Sequence, residues 1–196
     1  MIDAISENII TEPSMVLSFT ESTDKTLAGK AAEGCQRSFS VLVDRYSPRI
    51  VGFIYGRCGK IQDAEDIAQD AFIKAWQNIQ RYDNRYEFST WIFTIAIRLT
   101  SNYYRNQRMI LNDEILEQLP AKANEGPEIA LDQKEQKDQL WQLAGKLSAI
   151  QYNILYLHYA QQMSIKQISQ TIGKTKVAVK VNLFRARKNL QKLLEQ

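Results

Sequence analysis

Residues 63–79, DAEDIAQDAFIKAWQNI, most narrowly limit what this chain can become. Ile67, Ala68, Ala71, Phe72, Ala75, Trp76 and Ile79 recur at steps of three and four. That spacing lines them along one side of a helix, and it would scatter them over both faces of a strand. A stripe of this kind must be covered by other helices, and the neighbouring segments carry the same period. Phe39, Leu42, Val43 and Tyr46 form one run, and Ile50, Phe53, Ile54 and Arg57 another, with Pro48 placed to open the second and Gly59 to end it. Asp63 is the expected N-cap of the acidic helix, whose first-turn carboxylates suit the helix dipole. The segment RYDNRYEF at 81–88 reads as a loop, after which Ser89 or Thr90 should cap the next helix. No segment alternates in the manner of a strand, so the fold class is all-α.

The helix expected over 87–108, EFSTWIFTIAIRLTSNYYRNQR, changes character along its length. Trp91, Ile92, Phe93, Ile95, Ala96, Ile97 and Leu99 make its first half a core element. Arg98, Ser101, Asn102, Arg105 and Arg108 then follow at helical spacing and form a polar ridge, with Tyr103 and Tyr104 among them. Arginines that take phosphates, amides that read base edges, and the loop aromatics Tyr82, Tyr86 and Phe88 together suit unpaired nucleic acid. Alternatively, Tyr82, Phe88 and Trp91 complete the core.

Charge divides the chain. Residues 29–60 sum to +4, 61–80 to −3, 81–108 to +3, 109–135 to −5 and 164–196 to +7, within a net charge of +3. Two basic regions separated by an acidic connector suggest one polyanion touched at two places. The connector contains Pro120, Gly126 and Pro127. The expected organisation is a mobile tail at 1–28, a helical domain at 29–108, an acidic linker at 109–134 and a second helical domain at 135–196. No apolar run nears the ~20 residues that cross a bilayer, and Asp3, Glu7 and Glu12 do not make a secretory leader. Cys35 and Cys58 lack metal or redox spacing, which fits free thiols in a reducing cytoplasm.

The last basic region, MSIKQISQTIGKTKVAVKVNLFRARKNLQKLL at 163–194, reads as a helix–turn–helix with Gly173 in the turn. Ile165, Ile168 and Ile172 are expected on the inner face of the first helix, and Val177, Val179, Leu183, Ala186 and Leu190 on that of the second. Lys174, Lys176, Lys180, Arg185, Arg187 and Lys188 stay outside, where a second helix lying in a major groove would meet phosphates. A helical hairpin with a solvated lysine face is the plainer alternative. An enzymatic reading rests on Asp63, Asp66 and Asp70, whose carboxylates at i, i+3 and i+7 could meet at a divalent ion. No second carboxylate helix supports it, and His158 sits in an apolar run as a packed or half-exposed helix residue. No cofactor or metal is expected.

The run DAEDIAQDAFIKAWQNIQRY…FSTWIFTIAIRLTSNYYR resembles region 2 of bacterial RNA polymerase sigma factors, in the extracytoplasmic-function (ECF) group. LSAIQYNILYLHYAQQMSIKQISQTIGKTKVAVKVNLFRARKNL resembles their region 4. The likeness spans about residues 31–194. It implies a non-enzymatic, cytoplasmic subunit that brings core RNA polymerase to promoter DNA. By that likeness Asp63, Glu65, Asp66, Gln69 and Asp70 face the clamp helices of the largest polymerase subunit. Tyr82, Asn84, Tyr86, Phe88, Arg98, Asn102, Arg105 and Arg108 meet the −10 element. Lys176, Lys180, Val181, Asn182, Arg185 and Arg187 meet the −35 element, and region 4 also docks on the polymerase flap. The acidic linker resembles the segment that threads the polymerase's basic channel, and an anti-sigma factor of unidentified type is a further implied partner. Three positions depart from the family pattern: Arg98 stands where Asn is usual, and Val181 and Asn182 where Ser and Arg are common. Besides this reading stand an autonomous helix–turn–helix regulator with an N-terminal sensing or dimerisation domain, and a metal-dependent enzyme using the 63–70 carboxylates.

Overall fold

The computed structural model describes residues 21–113 and 133–195, with side-chain surroundings for 21–105 and 138–195. The segment 114–132, most of the expected linker, lies outside them. Among the described residues there are eight α-helices and a single 3₁₀ turn at Ile79–Arg81, and no strand. The helices are α1 (Asp24–Ala32), α2 (Gln36–Cys58), α3 (Ile61–Gln77), α4 (Phe88–Asp113), α5 (Gln133–Ala144), α6 (Ala149–Tyr159), α7 (Ile165–Ile172) and α8 (Lys176–Leu194).

The linker expected over 109–134 is shorter at both ends, because α4 runs on to Asp113 and α5 starts at Gln133, and four other boundaries also differ from the sequence expectation. Helix α1 begins inside the stretch expected to be mobile. The Thr23 hydroxyl caps it by accepting from the Thr26 amide, and the Asp24 carboxylate accepts from Arg45 at 2.6 Å and from the Tyr46 hydroxyl at 2.5 Å. These anchors hold Leu27, Ala28 and Ala31 in the core. Second, Pro48 lies within one 23-residue helix instead of opening a new one. Phe39, Leu42 and Tyr46 before it and Ile50 and Phe53 after it fall on one buried side. Continuous burial of that face outweighs the roughly 3 kcal/mol that an internal proline costs. Third, α3 starts three residues early, with Lys60 at the N-cap position, so Asp63 is in its first turn and not at the cap. Its carboxylate instead accepts from the Tyr103 hydroxyl at 2.7 Å. Fourth, α4 begins at Phe88, which puts Ser89 and Thr90 inside its first turn.

Helices α1–α4 form the N-terminal bundle. The stripe of α3 is buried as its period requires, with Ala64, Ile67, Ala68, Ala71, Phe72 and Ala75 inside. The C-terminal unit is built from α5–α8. Ser164 and Gln167 make a reciprocal capping box at the start of α7, Gly173 closes it at φ 65°, and Thr175 caps α8. A left-handed residue between the two helices is where glycine is least costly.

The two units share a seam along α2. The Tyr152 hydroxyl donates to the Phe53 carbonyl at 2.7 Å, and the Tyr156 hydroxyl to the Arg49 carbonyl at 3.2 Å. Phe53 meets Phe93, Tyr152 and Tyr156 with ring centroids 5.2–5.7 Å apart, and Trp141 packs on Tyr156 at 4.7 Å. Burial raises the Tyr152 phenol well above its ordinary range and Tyr156 to about 12. Gly145 approaches the Gly56 carbonyl so closely that a Cβ there would collide with backbone. At the edge of the seam, Arg49 donates to the Gln161 side chain at 2.6 Å and Arg57 to the Leu147 carbonyl at 3.3 Å.

Candidate nucleic-acid interface

Helix α4 seats itself with one face and offers the other. Phe88, Ile92, Phe93 and Ala96 are fully buried, whereas Arg98, Ser101, Asn102 and Arg105 are exposed. The ridge is therefore real over these four residues; the side chain of Arg108 lies outside the described set. Tyr103 and Tyr104 do not belong to the ridge. Tyr103 turns inward to Asp63, and Tyr104 lies under the Arg57 guanidinium at 5.1 Å, its buried hydroxyl raised to about 12 by loss of solvent. Burial, followed by the hydrogen bond to Asp63, also raises Tyr103.

The loop before α4 separates the three aromatics assigned to base stacking. Phe88 is 0% exposed and packs against Tyr46, Tyr82 and Trp91. No base can reach it, which corrects its assignment to the −10 surface. Tyr82 is half-buried in the same cluster and donates to the Tyr86 carbonyl at 2.7 Å, so it holds the loop's shape. Its phenol rises to about 12, chiefly by burial. Tyr86 alone of the three is exposed, at 39%, with exposed Asn84 beside it. Asp83 and Arg85 brace the loop, the Arg85 guanidinium donating to both Asp83 carboxylate oxygens at 2.6–3.0 Å, which holds the Asp83 carboxyl below its ordinary range.

On α3, Glu65, Asp66, Gln69 and Asp70 are exposed, with Asp63 turned partly inward to Tyr103. The three carboxylates of the enzymatic reading thus do not converge, and no cluster of metal-ligating groups occurs among the described residues. Ile73, 46% exposed, adds an apolar side chain to this acidic face; the sequence reading passed over it.

On α8, Lys176, Lys180, Arg185, Arg187 and Lys188 are exposed, as is Lys174 in the preceding turn. Arg187 lies over the Tyr159 ring at 5.4 Å, on the flank nearest α6. Asn182 is half-buried, and its amide donates to the Ala178 carbonyl at 2.8 Å, so that donor is turned onto its own helix. Val177 is not on the inner face: it is 71% exposed, because it lies two residues, about 200° of turn, from buried Val179. Phe184, 68% exposed, is a residue the sequence reading missed, although its position one residue after buried Leu183 signals it.

Residues 42–109 match the family Sigma-70 region 2, and residues 137–190 match Sigma-70, region 4. Over 171 residues the chain is 30% identical to the ECF RNA polymerase sigma factor SigW of Bacillus subtilis, covering 83% of this chain and 91% of that one. The chain is an ECF sigma factor of the sigma-70 family. The RNA polymerase sigma-H factor of Pseudomonas aeruginosa is similar too, 28% identical over 185 residues that cover 90% of this chain and 96% of that one. The fold is shared with CnrH solved in complex with the cytosolic domain of CnrY, at TM-score 0.68 and 23% identity, covering 89% of this chain and 98% of that one. RpoE of Bartonella quintana, solved with the anti-sigma factor NepR, gives TM-score 0.65 and 24% identity over 81% of this chain and 98% of that one.

The bundle α1–α4 therefore contains sigma region 2, and α5–α8 contain region 4. This sigma factor directs RNA polymerase to promoters, and its family acts by binding, not by catalysis. No helix among its described residues is long and apolar enough to cross a membrane.

Proposed function

We propose that the sigma factor divides promoter recognition between α4 with its preceding loop, which captures the unpaired −10 strand, and α8, which grips the −35 duplex. The observation that carries this reading is that each helix buries one face against neighbouring helices, α4 against its own bundle and α7, and leaves a cationic face to solvent. Arg98 and Arg105 take phosphates along the strand, Asn102 reads a base edge, and Tyr86 stacks on an extruded base. Lys176, Lys180 and Arg185 neutralise phosphates of the duplex. The exposed face of α3, with Glu65, Asp66, Gln69 and Asp70, docks on the polymerase clamp, and the acidic linker follows a basic polymerase channel. Working with core polymerase, the protein is cytoplasmic. The anti-sigma factor NepR, solved with RpoE of the same fold, makes this partner class a candidate for this chain.

Binding both elements at once requires the α2 seam to part. Two elements about 25 base pairs apart are separated by roughly 85 Å, at ~3.4 Å per pair. A compact chain of this length has a radius of gyration of only about 16 Å. A fluorophore pair across the seam should therefore report separation when holoenzyme engages a promoter.

The decisive experiment is run-off transcription with purified core polymerase. The pair Asp66→Lys and Asp70→Lys should weaken holoenzyme assembly while leaving the fold intact, since exposed substitutions change stability within about 0.5 kcal/mol. Undiminished assembly by that double variant would remove α3 from the polymerase interface.

A further inference from the structure

The outer face of α8 carries a feature that phosphate binding does not use. Val177, Val181 and Phe184 are 71%, 42% and 68% exposed, at positions i, i+4 and i+7. They run along the side opposite buried Val179, Leu183 and Ala186. Lys180 and Arg185 flank this stripe, Lys188 continues it, and residues 176–194 contain no acid. An apolar strip within a wholly cationic field fits a polyanion that also displays apolar groups. In the major groove that group is the thymine 5-methyl, and a recognition helix reads base edges with its N-terminal residues. Val177 and Val181 are the second and sixth residues of α8. Asn182, the polar alternative, spends its amide donor on the Ala178 carbonyl.

We infer that Val177 and Val181 determine −35 specificity by packing on thymine methyl groups, with Phe184 extending the apolar contact along the groove. This inference rests on the placement of α8 in the −35 duplex. It turns a departure from the family pattern, valine where serine is common, into a preference for A·T pairs beneath the first two turns. A valine offers no hydrogen bond, so discrimination comes from burying a methyl, and a pyrimidine without it loses that contact.

The test uses holoenzyme assembled from the full chain and core polymerase. A promoter library randomised at −35 is first selected for binding. The recovered duplex is then remade with deoxyuridine replacing each −35 thymidine in turn, which removes the methyl and keeps every base pair. The expected result is one or two positions at which uracil weakens binding about fourfold, equivalent to ~0.8 kcal/mol for one buried carbon group. Val181→Ala or Val177→Ala should abolish that sensitivity, each at its own position. A shallower salt dependence for Lys180→Ala serves as the independent check that α8 is on DNA. Enrichment of a −35 sequence without A·T pairs opposed to these valines, uracil tolerated everywhere, or uracil sensitivity unchanged in both valine variants would overturn the inference while leaving −35 binding standing. Absence of any −35 enrichment would instead bring down the placement of α8, and this inference with it.

Discussion

The two surfaces proposed to meet nucleic acid are made from the same kind of helix but display different chemistry. Along α4 as far as Arg105 the exposed groups are two arginines, a serine and an amide, with Tyr86 and Asn84 exposed in the loop before it. Along α8 they are cations around Val177, Val181 and Phe184, with Gln191 and Leu194 exposed in its last turn. An unpaired strand exposes base faces and Watson–Crick edges, which reward a ring and an amide. A duplex exposes phosphates and groove-edge methyls, which reward cations and small apolar groups. On the proposed reading, net positive charge marks both surfaces, while the uncharged residues between the cations distinguish single strand from double.

The largest expected effect breaks both surfaces together. Phe53→Ala removes a fully buried ring shared by α4 and the seam tyrosines, and should cost about 3–5 kcal/mol in thermal or denaturant unfolding. Phe88→Ala should behave similarly. Its defect in promoter opening should follow the fraction unfolded, whereas a defect at full stability would return Phe88 to the strand-binding surface. Next comes Gly145→Ala, which forces α5 off the Gly56 carbonyl; overpacking of this kind costs about 1–3 kcal/mol and should open the seam without disturbing α8. A smaller effect separates the two surfaces. Lys180→Ala and Arg185→Ala should each weaken duplex binding and reduce the salt slope by about one, leaving strand melting in preassembled open complexes unaltered. Smallest of all, Asn182→Ala should shift −35 base preference less than Val181→Ala in a randomised library.

Alkaline titration offers another view of the buried phenols. The folded-state pKa values of Tyr82, Tyr104 and Tyr156 are raised to about 12, against an ordinary 10, so the protonated phenol is the form that the fold favours. Their contribution is complete below pH 10 and is lost as the pH rises from 10 towards 12. Unfolding followed by circular dichroism should therefore coincide with phenolate absorbance from these residues.

Much of this was legible in the chain. The stripe of α3, the glycines at 59 and 173, and the exposure of Arg98, Asn102, Lys180 and Arg185 follow from helical spacing alone. What spacing could not supply is which partner covers a given face. Tyr103 looks like part of the ridge until Asp63 on α3 takes its hydroxyl. Tyr82 and Phe88 look like a stacking platform until Tyr46 and Trp91 close over them. Pro48 looks like a boundary because its local cost is plain, while the continuous buried face of α2 depends on α1, α3 and the seam. Val177 was within reach of arithmetic, since its angle from Val179 already placed it outside.

Tyr86, the exposed loop aromatic, is the residue on which the proposed strand capture depends most directly. Permanganate footprinting of unpaired thymines, with holoenzyme on a promoter chosen by run-off transcription, tests it. Tyr86→Ala should fold normally and keep its closed complex through α8, yet lose thymine reactivity at −10 by roughly 5- to 150-fold, the equivalent of ~1–3 kcal/mol of base stacking. Wild-type reactivity in that variant would contradict the assignment of this loop to strand capture.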